Sequence, residues 1–324
     1  MSLWASGQEV ARVRAITVRE ESGITTPEEF AEYREIKLFD VELSGANAQL
    51  IDGPGGTHIL LPKTLTDPAA RSWAIAHELG HYEMRHVSPP ASELGAPRPA
   101  RESHPAVRDF EAEADAWAMM FTMPDADVAV YCDQMPMTLD VVTALARRCS
   151  VPPSAAARRL TGATIRYCAA VLSQDGKIVW ASPSMHLLGF LGSLEGHHLR
   201  PGSQIGHGAL ARRFFDTRKL PCDPALVPAA AWIDSVSDNA WIQEHSMEVG
   251  PFGAVLTMLW THNEPYLARD LRFPPRLMPA ARDIYLSDES LRTEHVRETF
   301  TCRPCEFAPS WLDVLLLRSL RAAG

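Results

Sequence analysis

The chain has 324 residues, 46% of them hydrophobic, with a net charge of −9 and six cysteines. This length accommodates two or three domains with cores of their own, and no apolar run reaches the roughly eighteen residues that a membrane span requires. The acidic balance argues against a protein that grips DNA with its whole surface, and the absence of an apolar leader and of a disulfide framework points to a soluble cytoplasmic protein with reduced thiols.

In chain order, Thr26-Pro27-Glu28-Glu29 reads as a capping box opening a helix near Phe30 to Arg34. Ile36 to Leu43 reads as a strand. Gln49 to Ile51 and Thr57 to Leu61 flank Asp52-Gly53-Pro54-Gly55-Gly56, the signature of a hairpin loop. The strand just before the next helix is expected to carry a free edge, on which an extended peptide could pair. That helix is the most informative part of the chain, RSWAIAHELGHYEMRH from Arg71 to His86. Asp67 caps it, Pro68 suits its first turn, and Gly80 is a small residue that admits another backbone or a substrate. His77 and His81 stand one helical turn apart on one face with Glu78 beside them. Two imidazoles at this spacing can share one zinc ion, and the neighbouring carboxylate can take a proton from an attacking water, the arrangement of a metallopeptidase.

The stretch from Ser88 to Pro105 holds five prolines and reads as a lid or a mobile connection, bordered by His86 and His104. Each of these histidines is either a surface residue, the reading ranked first, or an oxyanion stabiliser. A second helix follows in FEAEADAWAMMFTMP, where Phe110, Ala114, Trp117, Ala118 and Phe121 form a buried stripe. Glu111 and Asp115 lie four residues apart along its edge, so that one carboxylate can complete a zinc site and the other can accept the outer N–H of a ligating histidine. Glu113 falls on a different face and ranks second as ligand.

These two helices together resemble the ImmA/IrrE-type zinc metallopeptidases. The resemblance rests on the alanine-preceded HELGH from Ala76 to His81, and on Glu111, Ala114, Asp115, Trp117 and Ala118 leading to Met123-Pro124. Trp117 stands where that family usually has Phe. The resemblance implies a zincin-like α+β domain, His77, His81 and Glu111 as zinc ligands, and Glu78 as general base.

Downstream, Thr138 to Arg148 and Ser154 to Leu160 read as two helices around a short turn, a helix-turn-helix outline that either packs on the catalytic domain or reads DNA. Arg147, Arg148, Arg158, Arg159 and Arg166 lie in a stretch without acidic residues, and Arg200, Arg212, Arg213, Arg218 and Lys219 form a second cluster. Both are solvated faces or nucleic-acid contacts. Arg166 to Leu172 with Lys177 to Ala181, and Ala240 to Met247 with Ala254 to Trp260, read as hairpins. The domain order is then residues 1–125 as peptidase, 126–162 as helical segment and 163–324 as a mixed α/β domain, GAF- or PAS-like by fold-level analogy. Ser310 opens a last helix from Trp311 to Arg321. Cys302 and Cys305 make a single CxxC near His295, a weak signal for a second metal or for a thiolate that blocks the catalytic one.

The resemblance further implies a stress-responsive peptidase that cuts a helix-turn-helix transcriptional repressor, releasing a DNA-repair or antiphage operon as IrrE-like and CapP-like members do. Single-stranded DNA is an expected activator, with the arginine clusters its local support. The alternatives are a DNA-binding regulator with a vestigial peptidase domain and a sensor acting by protein contact alone.

Overall fold

The structure is a computed structural model, and it describes residues 7–43, 48–53, 55–86, 110–132, 134, 136–192, 199–234, 236, 240–250 and 253–261. The Ser88 to Pro105 connection, His104, Cys302, Cys305, His295 and the expected helix from Trp311 lie outside the described residues. The chain divides into two compact units, one running to Asp127 and including Asp140–Leu160, the other comprising Val128–Leu139 and the chain from Thr161 onward. No helix among the described residues is long and apolar enough to cross a membrane.

The first unit opens with α1 (Gly7–Ser22), a helix the sequence reading does not anticipate because its apolar residues are mostly alanine and valine. Its Ala11, Ala15 and Val18 are buried. In α2 (Pro27–Tyr33), Thr26 caps the helix by accepting the Glu29 N–H at 3.4 Å, the first half of the expected capping box, and its hydroxyl, in place of its backbone N–H, donates to Glu29 Oε2 at 2.7 Å.

The sheet consists of β1 (Lys37–Val41), β2 (Gln49–Gly53) and β3 (Gly56–Pro62), in the order β1-β3-β2. β2 and β3 form the expected antiparallel hairpin, and β1 runs parallel to β3. The strand preceding the metal helix is therefore the central one, and the expectation of a free edge on it is incorrect. The chain leaves β1, makes the hairpin and lays β3 between its neighbours, so the edges of this sheet are β1 and β2.

α3 (Pro68–Glu83) is capped by Asp67, whose Oδ1 accepts the Ala70 N–H at 2.7 Å. α4 (Phe110–Thr122) lies against it. The core joins the apolar stripes of both helices to the sheet through Ile59, Leu61, Ile75, Leu79, Trp117 and Phe121. Phe30 packs on Phe121 with ring centroids 5.1 Å apart, and Trp117 stacks on Phe121 at 4.7 Å.

After α5 (Asp125–Cys132) come α6 (Leu139–Cys149) and α7 (Pro153–Ala163), the expected pair around a turn in which Ser150 takes a φ of 52°. Their buried residues include Val142, Leu145, Ala156 and Leu160.

The second unit is built on β4 (Cys168–Gln174), β5 (Lys177–Pro183), β6 (Ala225–Pro228), β7 (Trp241–Val249) and β8 (Ala254–Trp260). They form one sheet in the order β5-β4-β8-β7-β6, every neighbouring pair antiparallel. Both hairpins read from the sequence are present, the first turning through Asp175 at φ 51° and Gly176 at φ 76°. Between β5 and β6 lie α8 (Met185–Leu191) and α9 (Leu210–Thr217). Glu244 on β7 is fully buried and accepts from the N–H groups of Leu210 and Ala211, from Trp232 Nε1 and from the Ser246 hydroxyl, fastening the start of α9 to the sheet. Burial raises its pKa above the ordinary carboxylate value despite these four bonds.

Candidate metal centre

The helical spacing of four residues brings His77 Nε2 and His81 Nε2 to 3.1 Å of each other on one face of α3. From α4, Glu111 Oε2 lies 3.2 Å from His77 Nε2 and 3.6 Å from His81 Nε2. Three donors held by two helices thus converge on one point, the group among the described residues suited to a metal ion. Tetrahedral ligands at about 2.0–2.1 Å from zinc stand about 3.3 Å from one another, and the three separations here bracket that value. The donor set fits zinc in both chemistry and spacing.

Gly80 makes this convergence possible. A Cβ at residue 80 would lie 2.8 Å from the Ala114 carbonyl oxygen and 2.9 Å from its Cα, so the two helix backbones touch where only hydrogen fits. Of the two possibilities read from the sequence, it is the other backbone that the small residue admits. Close approach at Ala114 carries Glu111, one turn earlier, to the imidazoles.

The outer nitrogens are also held. His77 Nδ1 is 3.0 Å from Asp115 Oδ1, and Asp115 Oδ2 accepts from Arg158 Nη1 at 2.7 Å. His81 Nδ1 is 2.9 Å from His86 Nδ1, whose Nε2 is 3.0 Å from Glu113 Oε2. Glu113 is buried behind His81 and does not join the three donors. At about 100° per residue around α4, Glu111 and Asp115 flank one side of the apolar stripe and Glu113 the other. His86 is buried against His81 and is therefore not the surface residue ranked first.

Electrostatics follow from this packing. Burial alone would lower the His77 pKa, but the hydrogen bonds its protonated ring donates to Asp115 and Glu111 and the nearby Glu78 charge outweigh it and push the value up to about 10. Hydrogen bonds from His77 and His81 hold Glu111 well below the usual carboxylate range. Asp115 is lowered too, burial being outweighed by His77 and Arg158.

Glu78 is buried, 6% exposed, and its Oε2 accepts the Leu50 N–H of β2 at 2.8 Å. Leu50 sits opposite Ile59 in the hairpin, and its N–H faces away from β3. The edge of β2 therefore adjoins the carboxylate.

The other candidates lie apart from this centre or support it. Arg158, read as a nucleic-acid candidate, is the residue that anchors Asp115. Arg159 is paired with Asp125 and donates to the Met123 carbonyl at 3.0 Å, and Arg148 pairs with Asp127 at 2.6 Å. In the second unit Arg212 pairs with Asp216 at 3.3 Å, with Arg213 the next residue on α9. Arg147 lies in the last turn of α6. Sequence reasoning missed His86, Glu113 in its actual place, Arg158 and the Leu50 N–H. The signals available were a third histidine five residues after His81, just beyond the helix, and a glutamate flanked by Ala112 and Ala114 on the apolar flank of α4.

Residues 31–161 match the family model described as Peptidase_M78: IrrE N-terminal-like domain. A solved structure titled "Mycobacterium tuberculosis transcriptional regulator" is similar at 14% identity and a TM-score of 0.49, over 81% of this chain and 78% of that one. No curated protein matches the chain. The matched segment contains both site helices and α6, together with most of α7. By this match, residues 31–161 are similar to the IrrE N-terminal-like domains of the Peptidase_M78 family.

Proposed function

We propose that the chain is a zinc-dependent endopeptidase in which His77, His81 and Glu111 hold the ion and Glu78 is the general base. The observation that carries this reading is the convergence of the three donors at 3.1, 3.2 and 3.6 Å, with a buried carboxylate on the adjacent residue of α3. A zinc ion there would supply Lewis-acid polarisation of a peptide carbonyl and lower the pKa of water from 15.7 to about 7.

The chain's own groups do the rest. The Leu50 N–H fixes one oxygen of Glu78, so that the carboxylate takes the proton of the attacking water and delivers it to the leaving amine. Asp115, anchored by Arg158, orients His77. An extended substrate pairing along the outer edge of β2 would pass directly beside Glu78.

The substrate we infer is a helix-turn-helix transcriptional repressor, and its cleavage would release a stress or defence operon. Support for this comes from the ImmA/IrrE resemblance and the IrrE N-terminal-like domain. The second unit, whose described residues form an antiparallel five-stranded sheet with two α-helices between β5 and β6, would act as a sensor by fold-level analogy with GAF and PAS domains.

The test is Glu78→Gln, assayed with zinc on a helix-turn-helix repressor as substrate. The variant is expected to bind zinc as the parent does and to lose cleavage by about 10²-fold or more. Undiminished turnover would refute the base assignment.

A further inference from the structure

His86 takes no part in the ligand set, yet the backbone places it with care. α3 ends in a Schellman motif. Arg85 takes a φ of 55°, the His86 N–H donates to the His81 carbonyl at 2.9 Å and the Arg85 N–H to the Tyr82 carbonyl at 3.0 Å. A non-glycine residue in the left-handed region is uncommon, and its effect is to fold residue 86 back beneath residue 81.

There the side chains of His81, His86 and Glu113 are only 6%, 2% and 3% exposed. Phe110 stacks on the His86 ring at a centroid distance of 4.5 Å. On the far side Glu113 abuts Gly7 at the start of α1, where a Cβ would lie 2.0 Å from Glu113 Oε1. α1 and α4 thus enclose the carboxylate.

Proton counting gives this row a direction. If His81 Nε2 carries a lone pair toward an ion, the single proton of the neutral ring is on Nδ1. That N–H donates across 2.9 Å to His86 Nδ1, which must then be the acceptor, so the proton of His86 is on Nε2 and donates across 3.0 Å to Glu113. The opposite tautomer of His86 would set two N–H groups face to face and turn a lone pair toward a carboxylate, among side chains that are nearly fully buried.

We propose that Glu113 and His86 are positioning residues that fix the tautomer and ring orientation of His81 for metal binding. This rests on the reading of His81 as a ligand through Nε2. It also makes the two histidine ligands unequal, since His77 meets its carboxylate directly while His81 meets one through a second imidazole. Partners of this kind strengthen a ligating imidazole, and their loss typically weakens metal binding 10–100-fold.

The experiment uses the zinc-loaded full chain. Long-range ¹H–¹⁵N correlation of the histidine rings is expected to show His86 protonated at Nε2 and not at Nδ1. Zinc affinity by chelator competition is expected to fall about 10–100-fold in His86→Phe and Glu113→Ala. His86→Gln and Glu113→Gln, which keep an acceptor for each N–H, are expected to recover most of it. A proton on His86 Nδ1, or a folded His86→Phe with parental affinity, would overturn the proposal, and the tautomer of the unsubstituted chain decides the matter if the variants do not fold. A parent chain that takes up no zinc would instead overturn the metallopeptidase reading itself, so the two failures are distinguishable.

Discussion

His77 carries a proton that an incoming ion must displace. Its folded-state pKa of about 10 lies above the ordinary 6.5, because Asp115 and Glu111 more than offset burial. The sign follows directly. The protonated form contributes stability that is fully present below pH 6.5 and is lost as pH rises through about 10. For a metal that needs the neutral ring, the direction is opposite, so apparent zinc affinity is expected to rise with pH by up to about tenfold per unit below pH 10. Chelator competition between pH 7 and 9, corrected for the chelator's own protonation, measures this, and an affinity independent of pH would contradict it. At this scale the placing of His77 and His81 on one face of α3, with Glu78 beside them, was legible in the sequence because a helix has a fixed repeat, and the two histidines follow it. His86 was not, because its place depends on the left-handed turn at Arg85, which no periodicity announces.

Among the elements, the α3–α4 contact decides whether the site exists. The two helices touch backbone to backbone at Gly80 and Ala114. Gly80→Ala puts a methyl group 2.8 Å from a carbonyl oxygen and is expected to destabilise the fold by about 1–3 kcal/mol, even though alanine is the better helix former. Chemical denaturation reads this cost, and zinc affinity is expected to fall with it, since Glu111 is carried on the displaced helix. A Gly80→Ala chain as stable as the parent would show that α4 does not depend on this approach. The caps at Thr26 and Asp67 and the apolar stripe of α4 were legible because capping and amphipathic spacing are local properties. The order of the first sheet was not, because a parallel pairing of β1 with β3 is set by long-range packing rather than by either strand's residues. α1 was missed for a related reason, as alanine-rich faces become core only against a partner such as α4.

For the whole molecule, charge is arranged differently from what a linear count suggests. Arg148, Arg158, Arg159 and Arg212 are each paired with a carboxylate, so part of the basic character of both clusters is already neutralised, and the expectation of nucleic-acid contact gains no support from their placement. Arg158 links α7 to the histidine site through Asp115, and both residues lie within the first unit.

The central claim is that one zinc ion is held by two imidazoles and a carboxylate drawn from α3 and α4. The most direct measurement is X-ray absorption at the zinc edge on the full chain loaded with one equivalent of metal. The expected result is two imidazole nitrogens and oxygen ligands at about 2.0–2.2 Å, with the imidazole signal lost in a His77→Ala, His81→Ala chain. A sulfur scatterer at about 2.3 Å would place a cysteine such as Cys302 or Cys305 on the metal, and a spectrum unchanged by the double substitution would put the ion elsewhere. The second outcome would contradict the site assigned here, and the first would contradict its nitrogen and oxygen composition.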